Sequence, residues 1–285
     1  MNRLCDTHVH VFDPSRFAYV PDRKFSPATA TVDQLHAQLA HIGADRVVLV
    51  QPSVYGTDHR CLLDALHKLG PVARGIAVID QDTSPAEIEQ LDQSGVVGAR
   101  LNLVVNHQES TERAFEMIQR TEPRLPSHWH IQLHVKLEML AALTKHIQNS
   151  QRHFVLDHFG LPDIAQGTQS VRWKNMIAVM KTGQLYVKAS APYLTSKQST
   201  EYSDMQPFVE SLFNAEPNQL LWGSNWPHTK GTKRDANTPL THIETFRNEN
   251  DLRWKENCKT WTSSHWEKIA HTNADHLYFS KPLGR

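Results

Sequence analysis

The chain has 285 residues, and its thirty Lys and Arg balance thirty Asp and Glu, so the formal net charge is zero with a pI near 7.3. That balance removes the electrostatic case for nucleic acid or an anionic membrane surface as partner. Hydrophobic residues at 39% and charged residues at 21% suit one sizeable core, and no 18-residue apolar run spans a bilayer. Cys5, Cys61 and Cys258 match no metal or redox spacing and are expected to be free thiols in a reducing cytoplasm. No basic-then-apolar leader opens the sequence, so a secretory signal is not expected.

Short apolar or β-branched runs alternate along the chain with stretches of helical spacing. The first run is Arg3–His10, and Thr31 then opens a helix that Gly43 closes. Arg46–Gln51 precedes a helix over Asp58–Leu69. Arg74–Asp80 precedes another beginning at Ser84-Pro85, with proline at its first helical position. Val97–Leu103, His130–Val135 and His153–His158 follow, with helices predicted over Glu109–Arg120, Lys136–Asn149 and Ser170–Thr182. Leu185–Ser190 and Gln219–Gly223 complete eight runs, and the remaining helices are expected over Ser203–Asn214, Thr241–Arg247 and Ser263–Asn273. Eight short runs alternating with helices predict an α/β fold, a single (β/α)8 TIM-type barrel occupying 1–285 as one domain. A glycine-rich phosphate turn, which an open doubly wound sheet would want, is missing after the first run. Gln166–Ser170 and Thr229–Asn237 are polar loops expected over the catalytic face.

A parallel barrel works at the ends of its strands. The first run ends in His8-Val9-His10, whose alternation points both imidazoles the same way. Arg100 and Asn102 end the fourth run, Gln132 and His134 lie in the fifth, and Asp157-His158 end the sixth. Asn225 and His228 follow the eighth. Singly, each has an ordinary structural explanation; together, at one end of one barrel, they indicate a site. Lys188 in the seventh run is either a pocket cation or a paired core residue.

Asp6-Thr7-His8-Val9-His10, Gln51-Pro52-Ser53, Asp157-His158-Phe159-Gly160 and Trp222-Gly223-Ser224-Asn225-Trp226-Pro227-His228 resemble the amidohydrolase superfamily in its amidohydrolase 2 branch. The stretch from Phe17 to Pro27 and Val48–Asp58 make the chain most similar to the lactone hydrolases of that branch, which act on pyrone dicarboxylates, sulfomuconolactone and sugar lactones. The resemblance runs from the first strand to the eighth. It implies hydrolysis of a carboxylated lactone, with His8, His10 and His158 donating to the lactone carbonyl as water adds. It places Arg100 on a substrate carboxylate and Phe25, Ser53, Tyr55, Asn106, Gln132, His134, Tyr193 and His228 around the substrate. Members of the branch often work without a divalent metal, so no cofactor or metal ligand is expected, although other amidohydrolases bind zinc through the same positions.

Two departures stand out. Where the family pattern has a general-base Asp, this chain has Asn225, and an amide cannot take a proton from water near neutral pH. Three readings stay open: an inactivating Asp-to-Asn exchange, a different base such as His228, His134 or Asp235, or a barrel that binds a ligand without hydrolysing it. A zinc-dependent decarboxylase is the enzymatic alternative. Second, Val104–His107 and Ala191–Leu194 lack the arginines that pyrone dicarboxylate enzymes carry there, which favours a lactone with one acidic group. The lactone itself, the reaction direction and the oligomeric state stay open.

Overall fold

The computed structural model describes residues 3–104, 110–230, 235 and 237–280. Its elements in chain order begin with β1 (Cys5–Val9), β2 (Ser26–Pro27), α1 (Val32–Ile42), β3 (Arg46–Val50) and α2 (Arg60–Leu69). Then come β4 (Ala73–Ala77), α3 (Pro85–Gln93), β5 (Val96–Asn102), α4 (Thr111–Thr121), β6 (His130–His134) and α5 (Leu137–Asn149). The chain continues through β7 (Phe154–Leu156), α6 (Val171–Met180), β8 (Leu185–Ala189), α7 (Gln206–Ala215) and β9 (Leu220–Trp222). It ends with β10 (Ile243–Glu244), α8 (Asp251–Thr262) and α9 (Asn273–Tyr278).

Eight strands form one parallel sheet in the order β1-β3-β4-β5-β6-β7-β8-β9. The chain leaving β9 meets β1 again: Asn225 N donates to His8 O and His10 N donates to Trp226 O, both at 2.9 Å. Those bonds turn the sheet into a (β/α)8 barrel. Each of the eight predicted runs overlaps a barrel strand, β4 and β5 starting one residue earlier than expected. They are legible because a strand buried on both faces must be apolar throughout, as in Arg46-Val47-Val48-Leu49-Val50. The helices owe their starts to local chemistry. Thr31 with Gln34 and Ser84 with Glu87 each form a reciprocal capping box, and Gly43 ends α1 in the left-handed region.

The interior is layered. Val48, Val50, Ile76, Val155, Tyr186 and Leu221 cluster with Tyr278, which closes the base of the barrel. Above them Lys188 begins the polar layer. From Asp6 to Val9, β1 advances three residues while β3 advances two, Val47 to Leu49, so β1 carries a bulge just below its histidines. Gly223 lies where β9 passes β1, and a Cβ there would stand 3.0 Å from His8 Cβ and 3.1 Å from His8 N.

Three helix expectations need correction. Thr241–Arg247 is not helical, and β10 within it pairs in parallel with β2. Ser263–Asn273 divides into a 3₁₀ turn (Ser263–His265) and a π turn (Lys268–Thr272) before α9. The helix α8 was not predicted at all. Its buried face is Asp251, Trp254, Cys258 and Thr262, helically spaced but half polar, so it carries little apolar signal. Glu109 and Asn106 lie outside the described residues, as does most of the loop predicted over Thr229–Asn237. Among the described residues no helix is long and apolar enough to cross a membrane.

Candidate active site

The strand ends converge on a cavity lined by His10, Phe25, Ser53, Arg100, His134, His158 and Asn225, with Phe12, Pro52, Asn102, Leu194 and Thr229. Seven of the expected site residues therefore share one space. His8 lies just beneath, fully buried, its ring 5.0 Å from that of His10 and 4.6 Å from that of His158 between centroids. Gln132 does not line the cavity; it is part of the floor, donating Nε2 to Asp157 Oδ2 at 3.2 Å. Tyr193 stands behind Asn225. Two expected contacts are displaced. Tyr55 lines a separate small cavity with Val11, Leu49 and Cys61, its hydroxyl accepting from Asp13 N at 2.8 Å. His228 turns away from the cavity and pairs through Nε2 with Asp251 at 3.1 Å.

Backbone geometry concentrates at this mouth. His158, Phe159, Leu161, Ala191, Asn225 and His228 all have positive φ, between 49° and 72°, immediately after β7, β8 and β9. Non-glycine residues held in the left-handed region cost stability and persist only where surrounding structure fixes them, commonly at working sites.

Charge is organised around Asp157, which the sequence marked only as the neighbour of His158. Its Oδ1 lies 3.3 Å from His8 Nδ1 and 3.8 Å from Lys188 Nζ, and its Oδ2 lies 3.4 Å from Arg100 Nη2. Burial alone would raise this carboxyl, but His8, Lys188 and Arg100 outweigh it and hold it well below the usual range. Lys188 is a paired core residue: its Nζ donates to Thr7 O at 2.8 Å and to Gln132 Oε1 at 2.7 Å. Burial lowers it to about 8, which leaves it charged near neutrality. Burial also pushes His10 and His158 down to about 3 and His8 and His134 well below their ordinary value, so the imidazoles are neutral. Asp6 moves the other way, raised by burial to about 7, although Ser224 N and His8 N both donate to its Oδ1.

Neutral rings bonded to groups of one polarity have fixed tautomers. His10 Nδ1 meets Val50 O at 2.7 Å, and a carbonyl only accepts, so Nδ1 carries the hydrogen and Nε2 is left as an acceptor. The donor role expected of His10 does not hold for that ring. His134 is the reverse: Arg100 Nη2 can only donate, so His134 Nδ1 accepts at 3.4 Å and Nε2–H is the donor. Nδ1 of His158 meets Ser190 Oγ at 2.8 Å, and a hydroxyl serves either tautomer. Asn225 is also fixed. Tyr193 Oη donates to Thr229 O at 3.2 Å and accepts from Asn225 Nδ2 at 2.7 Å, leaving Oδ1 buried and without a partner among the described residues.

His8, Asp157 and His158 each offer one ligand atom within 4.8 Å of the others, the cluster a metal would use. A divalent ion entering this cluster would meet positive charge already in place. Both oxygens of Asp157 face cations, Asp157 Oδ1 and His8 Nε2 have no hydrogen-bond partner among the described residues, and Asn225 adds only a neutral oxygen nearby. Lys188 and Arg100 outnumber Asp157 before any ion arrives, and a buried excess of positive charge is costly.

Comparison with known proteins identifies the family. Over 233 residues, 78% of this chain and 76% of the relative, the sequence is 31% identical to a 2-pyrone-4,6-dicarboxylate hydrolase of Comamonas testosteroni. It is 28% identical to a 4-sulfomuconolactone hydrolase of Rhizobium radiobacter over 227 residues, 79% and 75% of the two chains. A solved apo structure from Agrobacterium tumefaciens shares the fold with a TM-score of 0.79 at 21% identity, covering 98% of this chain and 96% of that one. The amidohydrolase family model matches residues 5–279. The chain belongs to the amidohydrolase family, in its amidohydrolase 2 branch.

Proposed function

We propose that the chain hydrolyses a lactone bearing one carboxylate, by adding water to the ring carbonyl. The observation that carries this reading is one cavity holding a buried guanidinium, three neutral imidazoles and an amide oxygen. The guanidinium contacts of Arg100 to Gln51 O, His134 and Asp157 are all long, 3.4 Å, and its Nε has no partner among the described residues, which leaves capacity for a substrate carboxylate. The names of the two curated relatives support lactone hydrolysis as the reaction class. The loop after β8 offers Tyr193 and Leu194 rather than an arginine, in keeping with a single acidic group.

In this reading Asn225 Oδ1 holds the water by accepting one of its hydrogens. Of the alternative bases, His228 is paired outside the cavity, Asp235 is exposed, and His134 presents a hydrogen. His10 Nε2 is the acceptor that lines the cavity and takes the proton as the water oxygen bonds to the carbonyl carbon. The developing oxyanion is met by His134 Nε2–H and by His158. Collapse breaks the ring C–O bond, and the proton on His10 passes to the departing ring oxygen, giving an open-chain hydroxy acid. No cofactor is required. A cytoplasmic location is supported by Cys5, Cys61 and Cys258, all free and buried.

The test is a pH-indicator screen of carboxylated lactones against the chain and its Asn225→Asp variant. Restoring a carboxylate is expected to speed hydrolysis by about tenfold or more. Equal rates would remove position 225 from the water's path. No turnover by either protein, with a lactone still raising Tm, would mark a binding barrel instead.

A further inference from the structure

Lys188 sits where a charge is needed and no solvent reaches. It is fully buried, its Nζ donates to Thr7 O of β1 and to Gln132 Oε1 of β6, and Tyr278 lies beneath it with the ring centroid 5.9 Å away. Two of the three ammonium hydrogens are thereby placed. The third faces the gap between His8 Nδ1 at 3.4 Å and Asp157 Oδ1 at 3.8 Å. Because an ammonium only donates, Gln132 must turn Oε1 toward Lys188, which leaves its Nε2 for Asp157 Oδ2 at 3.2 Å. Strands β1, β6, β7 and β8 are thus tied to one cation, and that cation touches two of the three residues whose ligand atoms come within 4.8 Å of one another.

We propose that the Lys188 ammonium is a built-in cation that takes up the charge of Asp157 and keeps divalent metal out of the His8–Asp157–His158 cluster. With only two imidazoles beside it in this cluster, a divalent ion would draw its charge compensation from the carboxylate. Asp157 is the carboxylate within reach, and Lys188 shares it with Arg100. Asp6, also buried in β1, spends its Oδ1 on the amides of His8 and Ser224 and lies outside the set whose ligand atoms come together. The fold therefore supplies its positive charge covalently, on β8, in place of a bound ion. The proposal concerns metal exclusion alone and stands whichever substrate the cavity takes.

Zinc content separates Lys188 from Asn225 as the cause. The native chain, Asn225→Asp and Lys188→Met would be equilibrated with excess zinc chloride, dialysed and measured by elemental analysis, with circular dichroism checking the fold. The native and Asn225→Asp chains are expected to retain essentially no zinc. Lys188→Met should hold about one ion per chain and lose it again when His158→Asn is added. Lys188→Gln, which keeps hydrogen-bonding capacity without charge, serves the same purpose where methionine prevents folding. A folded, zinc-free Lys188→Met or Lys188→Gln chain overturns the proposal. The Asn225→Asp chain loaded with zinc would also overturn it, by showing that the missing carboxylate was what kept metal out.

Discussion

Thr229 O lies 3.2 Å from Tyr193 Oη, and the hydrogen it receives decides which atom of Asn225 faces the cavity. With the phenol oxygen accepting from Nδ2, the amide can only offer Oδ1, so water bound there is oriented but keeps its protons. The Val50 carbonyl does the corresponding work on His10, freeing Nε2. If His10 is the acceptor, His10→Asn should cut turnover by about 10²-fold or more in the chain as it stands. In the Asn225→Asp background the same change should cost far less, because a carboxylate then takes the proton, and the double-mutant cycle measures that difference. Equal losses in both backgrounds would refute the assignment. The convergence of these residues was legible because strand ends meet at one mouth of such a barrel, and His8, His10, Arg100, His158 and Asn225 lie in or just after the last residues of their strands. Their donor and acceptor roles were not. Those are set by Val50, Arg100 and Thr229, groups remote in sequence or silent in it, and Asp157 emerged as the hub only once Lys188 and Arg100 were seen to converge on it.

At the level of elements, the barrel was readable where the physics is local. Burial on both faces writes β-branched runs, and Thr31 with Gln34 or Ser84 with Glu87 writes a helix start. It was unreadable where an element depends on a remote partner. Ile243 and Phe246 mimic a helical repeat, yet β10 exists through its pairing with Ser26–Pro27 more than 200 residues earlier. Likewise, Asp251 at the start of α8 is buried against Gln38 and His228 rather than against apolar side chains. Gly223 shows the tightest such dependence. A methyl group at this position would meet His8 Cβ and His8 N, so Gly223→Ala must push apart β1 and β9. The expected cost is about 1–3 kcal/mol in urea unfolding, with a loss of hydrolysis beyond what instability explains. Unchanged stability and rate would show that the junction has slack.

Across the whole molecule, the buried histidines set a pH limit on the fold. His8, His10, His130, His134 and His158 all have depressed values, His10, His130 and His158 to about 3, with burial the leading cause. Unfolded, the same rings titrate near 6.5. Between that value and about 3 the unfolded chain binds protons that the folded chain refuses, so stability is present above the window and is lost as pH falls through it. Asp6 works in the opposite sense. Raised from 3.8 to about 7, it stays protonated in the fold while ionised in the unfolded chain, so its contribution declines as pH rises across that range. Five groups oppose one, and the urea midpoint should fall steadily from about pH 7 to about pH 4. A flat or rising profile would show that water reaches the polar layer and protonates it in place.

The hydrogen bonds that close the barrel belong to residues of the candidate site, His10 N on Trp226 O and Asn225 N on His8 O. Breathing of that junction would separate His10, the proposed proton acceptor, from Asn225 Oδ1, the atom proposed to hold the water. Heat would then silence the catalyst ahead of global melting, and a lactone bridging the two sides would act as a staple. On that reading the upper temperature for turnover would follow this narrow weld rather than the core.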